Sequence, residues 1–334
     1  MTKRFQVVGI GNALVDVLAY CDEAFMETNG VRKGIMQLID VNRGTDLYSR
    51  IGSAREISGG SVANSVTGIA RLGGRAAFVG KIKDDKLGST FADDMRAQGI
   101  VFDTSPAPSC HPAETGRCIV LVTPDGERSM NTYLGVTEFL APSDIDERMM
   151  ADAEWIFLEG YRFDGPESQE AFAKAIFACT NAGGKVAITL SDPFCVERHR
   201  DSFGAMLRDH VDLVLANRAE ILSMYGSRDL DSALGAAAAE VRLVACTDGE
   251  NGVHVLMGGR RWHVPAVTTN VVDLTGAGDL FAGAFLWGLA EGYDPETCAR
   301  MGNIAASEII GHIGARPEAD LRDLFISAGV LRDG

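Results

Sequence analysis

A carboxylate follows a run of small residues in the stretch DLTGAGDLFAGAFLWGL, residues 273–289. The small residues are Gly276, Ala277 and Gly278, and apolar side chains then recur every fourth residue at Phe281, Phe285 and Leu289. This spacing predicts a helix that begins near Asp279. Free backbone N–H groups and the positive end of the helix dipole meet at such an N-terminus, where small side chains let an anion approach. The stretch therefore suits a transferred phosphoryl group, with Asp279 as the base for an attacking hydroxyl.

A plain strand-to-helix turn is the alternative interpretation of these glycines. Residues 267–272 before them form an apolar, β-branched run, as a strand would. Three features favour the chemical interpretation: Asp273 and Thr275 precede the glycines, the carboxylate follows them directly, and a second glycine-rich element lies upstream.

That second element is SGGSVANSVTGIARLGG, residues 58–74. Gly60 precedes apolar residues at helical spacing, and a glycine pair follows where the helix is expected to end. Asn64 lies on this predicted helix, where it faces either a ligand or solvent.

The chain begins with an apolar run, FQVVGI, that predicts a buried strand over residues 5–10. Two polar residues, Asn12 and Asp16, follow it. Leu14 takes the place of the third glycine of a dinucleotide fingerprint, which argues against that function. A carboxylate such as Asp16 can accept hydrogen bonds from two neighbouring hydroxyls, as a ribose presents them, although a solvated turn is the alternative.

From Trp155 onward, apolar runs alternate with helical patterns. The predicted strands are WIFLE, KVAITL, VDLVLA and VRLVACT, and the predicted helices span 169–180, 199–208 and 230–240. This alternation predicts an α/β fold, a doubly wound and mostly parallel sheet with helices on both faces, in one domain of residues 1–334. Ligands are then expected beyond the carboxyl ends of the strands.

Composition describes a globular protein of 334 residues, 46% hydrophobic and 23% charged. A formal charge of −15 argues against nucleic acid or an anionic membrane as a partner. No uncharged run is long enough to span a membrane, and the first eight residues lead into no signal-peptide core. Seven cysteines without a C-x-x-C pair predict reduced thiols and a cytoplasmic protein.

Together, DLTGAGD, SGGSVANS, the N-x-x-E pattern NRAE and the glycine turn TDGENG resemble the ribokinase-like (PfkB) family of sugar and nucleoside kinases. The resemblance covers nearly the whole chain. It implies in-line transfer of the ATP γ-phosphoryl group, with Asp279 as general base. It also implies a ribokinase-like fold with a small β lid from about residues 13–57 and 110–136. The residues it assigns to substrate hydroxyls are Asn12, Asp16, Gly60 and Asn64.

Other matching positions concern the nucleotide and its metal. The residues that the resemblance assigns to ATP are Asn217, Glu220, Thr247, Gly249, Gly252, Asn303 and Arg128. Asn217 and Glu220 would organise Mg²⁺ through water, which suits an ion that keeps its hydration shell. Asp273 and Thr275 align with a monovalent-cation site for K⁺, but Glu318 stands where a small hydroxyl residue is common. A solvated hairpin arginine remains the alternative for Arg128.

Within the family, VAITLSDPFCVERHRDSF and PAETGRCIVLV resemble adenosine kinases. The implied acceptor is the 5′ hydroxyl of adenosine, with AMP as the product. The implied contacts to the base are Leu38, Leu134 and Val136. Arg162 stands where adenosine kinases tend to have an aromatic residue, which predicts altered base recognition. A PfkB sugar kinase for ribose or fructose and a non-catalytic nucleoside or sugar sensor are the alternatives, and monomer and homodimer both stay open.

Overall fold

A computed structural model describes residues 2–332, so Met1, Asp333 and Gly334 of the predicted domain lie outside the described residues. The strands are β1 (Phe5–Ile10), β2 (Leu14–Tyr20), β3 (Met36–Leu38), β4 (Arg55–Gly59), β5 (Ala76–Val79), β6 (Gly116–Val122), β7 (Arg128–Tyr133), β8 (Ala153–Glu159), β9 (Lys185–Thr189), β10 (Leu213–Asn217), β11 (Leu243–Thr247), β12 (Val253–Met257) and β13 (Arg260–Val264). The α-helices are α1 (Glu23–Thr28), α2 (Val41–Arg50), α3 (Ser61–Arg71), α4 (Lys86–Ala97), α5 (Glu147–Ala151), α6 (Ser168–Asn181), α7 (Pro193–His210), α8 (Arg218–Tyr225), α9 (Leu230–Glu240), α10 (Ala277–Ala290), α11 (Pro295–Ile309) and α12 (Leu321–Ser327). Within this described range, no helix combines the length and the apolarity needed to cross a bilayer.

An eight-stranded sheet forms the centre of the protein, in the order β13-β12-β11-β10-β9-β8-β1-β5. Neighbours from β5 to β11 pair in parallel, whereas β12 and β13 pair antiparallel. Parallel neighbours need crossover connections, which are mostly helical here. The sheet confirms the predicted α/β fold, and α6 and α9 are the helices predicted at 169–180 and 230–240.

Side chains of the central strands alternate between two hydrophobic cores. In β1, Val7 faces one core and Val8 faces the other, and Phe157 and Ile156 of β8 do the same. Helices α3, α10 and α11 cover the first face, and helices α6 to α9 cover the second. Because both faces are buried, the strands read as continuous apolar runs.

A second, five-stranded sheet has the order β3-β7-β6-β2-β4. Its strands lie within or next to the two segments that the resemblance assigned to a lid. Residues 21–57, expected to contribute strands, also form helices α1 and α2. Asp22 and Asp40 explain this difference, because each caps a helix by accepting a hydrogen bond from the N–H of Phe25 or of Arg43.

Two predicted elements differ from the structure. Residues 267–272 form no strand, and Val267 and Val271 are 43% and 57% exposed. Helix α7 begins at Pro193 rather than at 199, because Asp192 caps it and proline fits the first helical position.

Helix α10 is buried on all sides rather than along one stripe. Every residue from Leu280 to Gly288 is buried. Gly283 lies against the backbone of α3, where an added Cβ would come 2.5 Å from Ser65 O. The absence of a side chain at Gly283 therefore sets how closely α10 approaches α3.

We expect Gly283→Ala to lower the midpoint of urea unfolding. Alanine is the better helix former, but its methyl would overlap the α3 backbone, at a cost of about 1–3 kcal/mol. Gly235→Ala in α9 is the matched control, since no atom lies within 4 Å of its added Cβ. The control should gain about 1 kcal/mol of stability. Equal midpoints for the two variants would contradict the close contact.

Candidate active site

Polar residues gather beyond the carboxyl ends of the parallel strands. Asn217 ends β10 and Thr247 ends β11, and both line a cavity of about 190 Å³. Gly278 and Asp279, in the first turn of α10, line the same cavity. Parallel strands share one edge of the sheet, so residues far apart in the chain meet there.

Asp279 is held by two donors from α3. Its Oδ1 accepts a hydrogen bond from Ser61 Oγ at 2.7 Å, and its Oδ2 accepts one from Asn64 Nδ2 at 2.9 Å. Burial raises the pKa of Asp279, while these two hydrogen bonds and the charge of Arg316 oppose the rise. A carboxylate with a raised pKa and a fixed orientation can serve as a general base. Sequence reasoning did not single out Ser61, although it stands between two predicted ligand residues.

Two of the three predicted amides at this helix terminus, those of Gly276 and Gly278, have no acceptor among residues 2–332. Gly276 is the N-cap of α10 with φ 81°, a conformation that favours glycine. The N–H of Ala277 instead donates to Leu274 O at 3.3 Å, and the N–H of Asp279 is a further group without an acceptor in the described part of the chain. In the first turn of α10, Gly278 and Asp279 therefore carry the N–H groups that are free to bind an anion.

A pocket of about 230 Å³ lies between the small sheet and the end of the large sheet. The pairing register aligns Asp16, Cys118 and Thr132 in one row across β2, β6 and β7. This row lines the pocket, as do Tyr161 and Asp279 from the large sheet's side. The remaining walls are Leu14, Gly60, Ser61, Asn64, Ser191 and Thr275. Three of the four predicted hydroxyl-binding residues therefore meet here.

Asp16 and Asn64 have unused capacity for hydrogen bonds in this pocket. Burial raises the pKa of Asp16 to about 6, with Arg316 opposing the rise and Asp279 adding to it. Asn64 Oδ1 is buried without a partner in the described part of the chain. Both groups can accept a hydrogen bond from a ligand hydroxyl.

Arg316 is a basic residue behind the pocket that sequence reasoning missed. It follows Gly314 and Ala315, and its Nη2 donates to Ser58 Oγ at 2.7 Å. Ser58 Oγ in turn donates to Asp94 Oδ2 at 2.5 Å. This chain of contacts ties the loop after α11 to strand β4 of the small sheet.

Asn12 does not line the pocket, contrary to the prediction. Only 4% of Asn12 is exposed, and its Oδ1 accepts a hydrogen bond from Arg162 Nη1 at 3.0 Å. Arg162 is itself 2% exposed and donates to Thr137 O at 2.6 Å. The predicted role of Arg162 in base recognition is not supported by this position, because backbone and amide oxygens hold its guanidinium in the core.

Glu159 is a second buried charge that was not predicted. It ends strand β8, is 1% exposed, and accepts a hydrogen bond from Val62 N–H at 3.1 Å. Gly60, the N-cap of α3, has no side chain to do this. Burial raises the pKa of Glu159 to about 7, and the N–H groups of Val62 and Asn12 oppose the rise. Glu159 therefore positions α3 and Asn12. The sequence offers one indication of this residue, because Glu159 is the single charged residue at the end of the apolar run WIFLE.

The three residues predicted to contact the adenine base lie outside the pocket of about 230 Å³. Leu38 is on edge strand β3 and is 59% exposed, whereas Val136 is completely buried. Leu134 precedes the 3-10 helix Gly135–Phe139. The apolar walls present are instead Leu14, Cys118 and Tyr161. Strand register places Cys118 there, beside Asp16 and Thr132, whereas Tyr161 comes from the 3-10 helix Gly160–Asp164.

A second cavity, of about 850 Å³, adjoins the N-terminus of α10 at Ala277 and Gly278. The predicted nucleotide residues that line it are Thr247, Gly249, Gly252 and Asn303. Gly252 has φ 93°, and an added Cβ would lie 2.1 Å from Val264 O, so this turn requires glycine. Residues 267–271 contribute apolar walls. This size and mixed lining suit an organic ligand as large as a nucleotide.

Asn217 and Glu220 cap helix α8 reciprocally. Glu220 N–H donates to Asn217 Oδ1 at 2.9 Å, and the Glu220 carboxylate accepts from Asn217 N–H at 2.9 Å and from Nδ2 at 2.6 Å. Burial raises the pKa of Glu220 to about 7. Glu220 and Asp279 line the cavity of about 190 Å³ together with serine and threonine residues. This set of oxygen donors fits a hydrated Mg²⁺ ion.

Asp273 forms a buried ion pair with Arg128, which changes the expected role of both. Arg128 Nη1 lies 2.6 Å from Asp273 Oδ2, and the two side chains are 8% and 4% exposed. Asp273 also accepts hydrogen bonds from Thr275 N–H and Gly314 N–H, each at 3.1 Å. A guanidinium and two N–H groups already surround this carboxylate, so the position does not fit K⁺. Arg128 Nε and Nη2 have no partner within residues 2–332.

Comparison with known proteins gives consistent matches over most of the chain. Among solved structures, the adenosine kinase of Sinorhizobium meliloti is 46% identical, with a TM-score of 0.89 over 97% of this chain and 99% of that one. A probable sugar kinase from Rhizobium etli is 42% identical, with a TM-score of 0.91 over 99% and 100% of the two chains. A 5-dehydro-2-deoxygluconokinase of Shouchella clausii is 28% identical over 319 residues, which cover 92% of this chain and 90% of the relative.

Residues 33–321 match the family described as pfkB family carbohydrate kinase. The matched range includes Asp279, the walls of the large cavity and every residue of the pocket of about 230 Å³ except Leu14 and Asp16. Because the match spans most of the sequence and of the site, this chain belongs to the pfkB family of carbohydrate kinases.

Proposed function

We propose that this protein transfers the γ-phosphoryl group of ATP to the 5′ hydroxyl of adenosine, giving AMP. The observation that carries the proposal is the position of Asp279, which lines the polar pocket and follows Gly278 on the wall of the large cavity. A base between a hydroxyl pocket and a nucleotide-sized cavity suits transfer from a nucleotide to an alcohol. The 46% identity to the Sinorhizobium meliloti adenosine kinase supports adenosine as the acceptor.

The residues around Asp279 have distinct roles in this proposal. The Asp279 carboxylate accepts the proton of the 5′ hydroxyl as that oxygen attacks the γ-phosphorus and ADP leaves. The N–H groups of Gly278 and Asp279 stabilise the charge that develops on the phosphoryl oxygens. Asp16 and Asn64 Oδ1 accept hydrogen bonds from the sugar hydroxyls and align the acceptor.

The surrounding groups neutralise charge and exclude water. Mg²⁺, held through water near Asn217 and Glu220, supplies positive charge to the phosphates when bound. We propose that the small sheet acts as a lid over the pocket, so that water does not compete with the acceptor. Arg128, at the start of β7 in that sheet, has two buried nitrogens without a partner among residues 2–332, to which a phosphate that reached them would supply acceptors.

A sugar kinase is the second candidate function. The pocket is small, about 230 Å³, and most of its walls carry polar groups, as a single sugar ring requires. The expected base contacts Leu38 and Val136 do not reach it. The name of the Shouchella clausii relative and the family description also favour a carbohydrate acceptor.

An acceptor panel tests the proposal directly. The purified protein receives ATP and Mg²⁺ with adenosine, other nucleosides, ribose, fructose or 5-dehydro-2-deoxygluconate, and ADP formation and product mass are measured. We expect adenosine to give the highest kcat/KM and a product with the mass of AMP. A higher kcat/KM for a sugar than for adenosine would instead support the second candidate function, a sugar kinase. Calorimetric binding of adenosine without turnover of any acceptor would indicate a sensor instead.

We expect Asp279→Asn to retain acceptor binding and to lose at least ~100-fold in turnover, the low end of what a general base contributes. The amide still accepts a hydrogen bond but cannot take a proton. The checks are single-turnover rates for catalysis and calorimetry for acceptor affinity. Unchanged turnover would remove Asp279 from the mechanism.

We expect Ser61→Ala to move the acid limb of the kcat profile to higher pH. The hydroxyl of Ser61 stabilises ionised Asp279 and so lowers its pKa, and its removal raises that pKa further. Because the base acts only when ionised, activity is then lost at a higher pH. Ser232→Ala is the matched control, since Ser232 Oγ donates to Asp229 at 2.7 Å on the exposed end of α9. A profile that coincides with the parent's would contradict this electrostatic role.

A further inference from the structure

Ser191 has a backbone conformation that disfavours serine. Its φ is 70°, and it is the one non-glycine residue with positive φ among residues 2–332. The N–H of Asp192 donates to Leu190 O at 2.8 Å, which closes a three-residue turn around Ser191. Turns of this type with positive φ are rare and strained. A glycine would make the same connection between β9 and α7 without that strain.

The Ser191 side chain forms only weak hydrogen bonds within the protein, and these do not offset the backbone strain. Its Oγ accepts a hydrogen bond from Tyr161 N–H at 3.3 Å and donates to Thr189 O at 3.5 Å. Hydroxyl hydrogen bonds to oxygen are normally about 2.7–2.8 Å long, so the donated bond is weak. The hydroxyl therefore remains available to a ligand, and its protein contacts do not account for a serine at this strained position.

The position of Ser191 in the site explains why a serine occupies this strained conformation. Three residues line both the acceptor pocket and the cavity of about 190 Å³: Ser61, Asp279 and Ser191. Ser61 is bonded to Asp279, the proposed base. Ser191 lies in the connection between β9 and α7 and so borders the junction independently of α3 and α10. The cavity of about 190 Å³ also shares Thr247, Gly278 and Phe281 with the nucleotide-sized cavity, so it borders both proposed ligand spaces. A phosphoryl group that passes through it into the acceptor pocket must pass Ser61, Asp279 and Ser191.

We infer that Ser191 is a catalytic residue whose hydroxyl donates a hydrogen bond to the phosphoryl group during transfer. The inference rests on the proposed function. The bond from the γ-phosphorus to the ADP oxygen breaks as the bond to the acceptor oxygen forms, and the acceptor proton goes to Asp279. Ser191 keeps its own proton and holds a non-bridging phosphoryl oxygen, as Gly278 N–H does from the helix terminus.

Two substitutions separate the hydroxyl from the strain. Ser191→Gly removes both, so we expect the ligand-free protein to unfold at the same temperature as the parent or higher, while kcat falls by about 100-fold. Ser191→Ala removes the hydroxyl and keeps the strain, so kcat falls equally without a gain in thermal stability. Affinity for a non-hydrolysable ATP analogue, measured by calorimetry, should stay within about twofold of the parent's in both variants, since the contact forms in the transition state.

The outcomes distinguish this inference from the proposed function. A parent protein that phosphorylates no acceptor contradicts the proposed function itself. An active parent with a Ser191→Gly variant of equal kcat contradicts the catalytic role of Ser191 alone. A Ser191→Gly variant that loses activity and unfolds at a clearly lower temperature also contradicts it, because serine would then be present for stability.

Discussion

The site depends on one constraint, a buried carboxylate held at the N-terminus of a buried helix. Asp279 lies where the dipole of α10 and two free N–H groups favour negative charge, while burial disfavours it. Ser61 and Asn64 oppose the effect of burial, because each donates a hydrogen bond to one of the two carboxylate oxygens and so stabilises the ionised form. Those donors come from α3, so the site exists only if α3 and α10 stay in close contact.

Several buried residues beneath the site maintain the contact between α3 and α10. Gly283 lets α10 approach the α3 backbone, and Glu159 holds the first turn of α3 from the end of β8. Arg162 then fixes Asn12 beside Glu159. A buried charge without partners costs several kcal/mol, and here an N–H group bonds Glu159 while amide and carbonyl oxygens bond Arg162. The residues around Asp279 therefore rest on a layer of buried, hydrogen-bonded polar groups in the core.

The sequence predicted the elements well and the individual contacts less well. Continuous apolar runs identified strands β8 to β11 because a sheet buried on both faces leaves little choice of residue. The start of α10 near Asp279 was also predicted from sequence, because glycines followed by apolar residues at helical spacing mark a helix N-terminus. Arg162, Arg316 and Glu159 were missed or misplaced, because the partner of a buried charge is set by strand register and long-range packing, which a linear pattern does not contain. The run 267–272 was misread because apolar residues also line a cavity.

The Arg128–Asp273 ion pair shows how the two sheets share one site. Arg128 begins β7 in the small sheet, and Asp273 precedes the turn into α10, so their contact joins the small sheet to the segment that leads to Asp279. Both side chains are nearly fully buried, and removing one partner would leave an uncompensated charge. The pair therefore stabilises the packing of the small sheet against the start of α10. Arg128 Nε and Nη2 are buried and have no partner within residues 2–332, so Asp273 is the group that compensates the charge of this guanidinium, and the contact between the two segments depends on that one carboxylate.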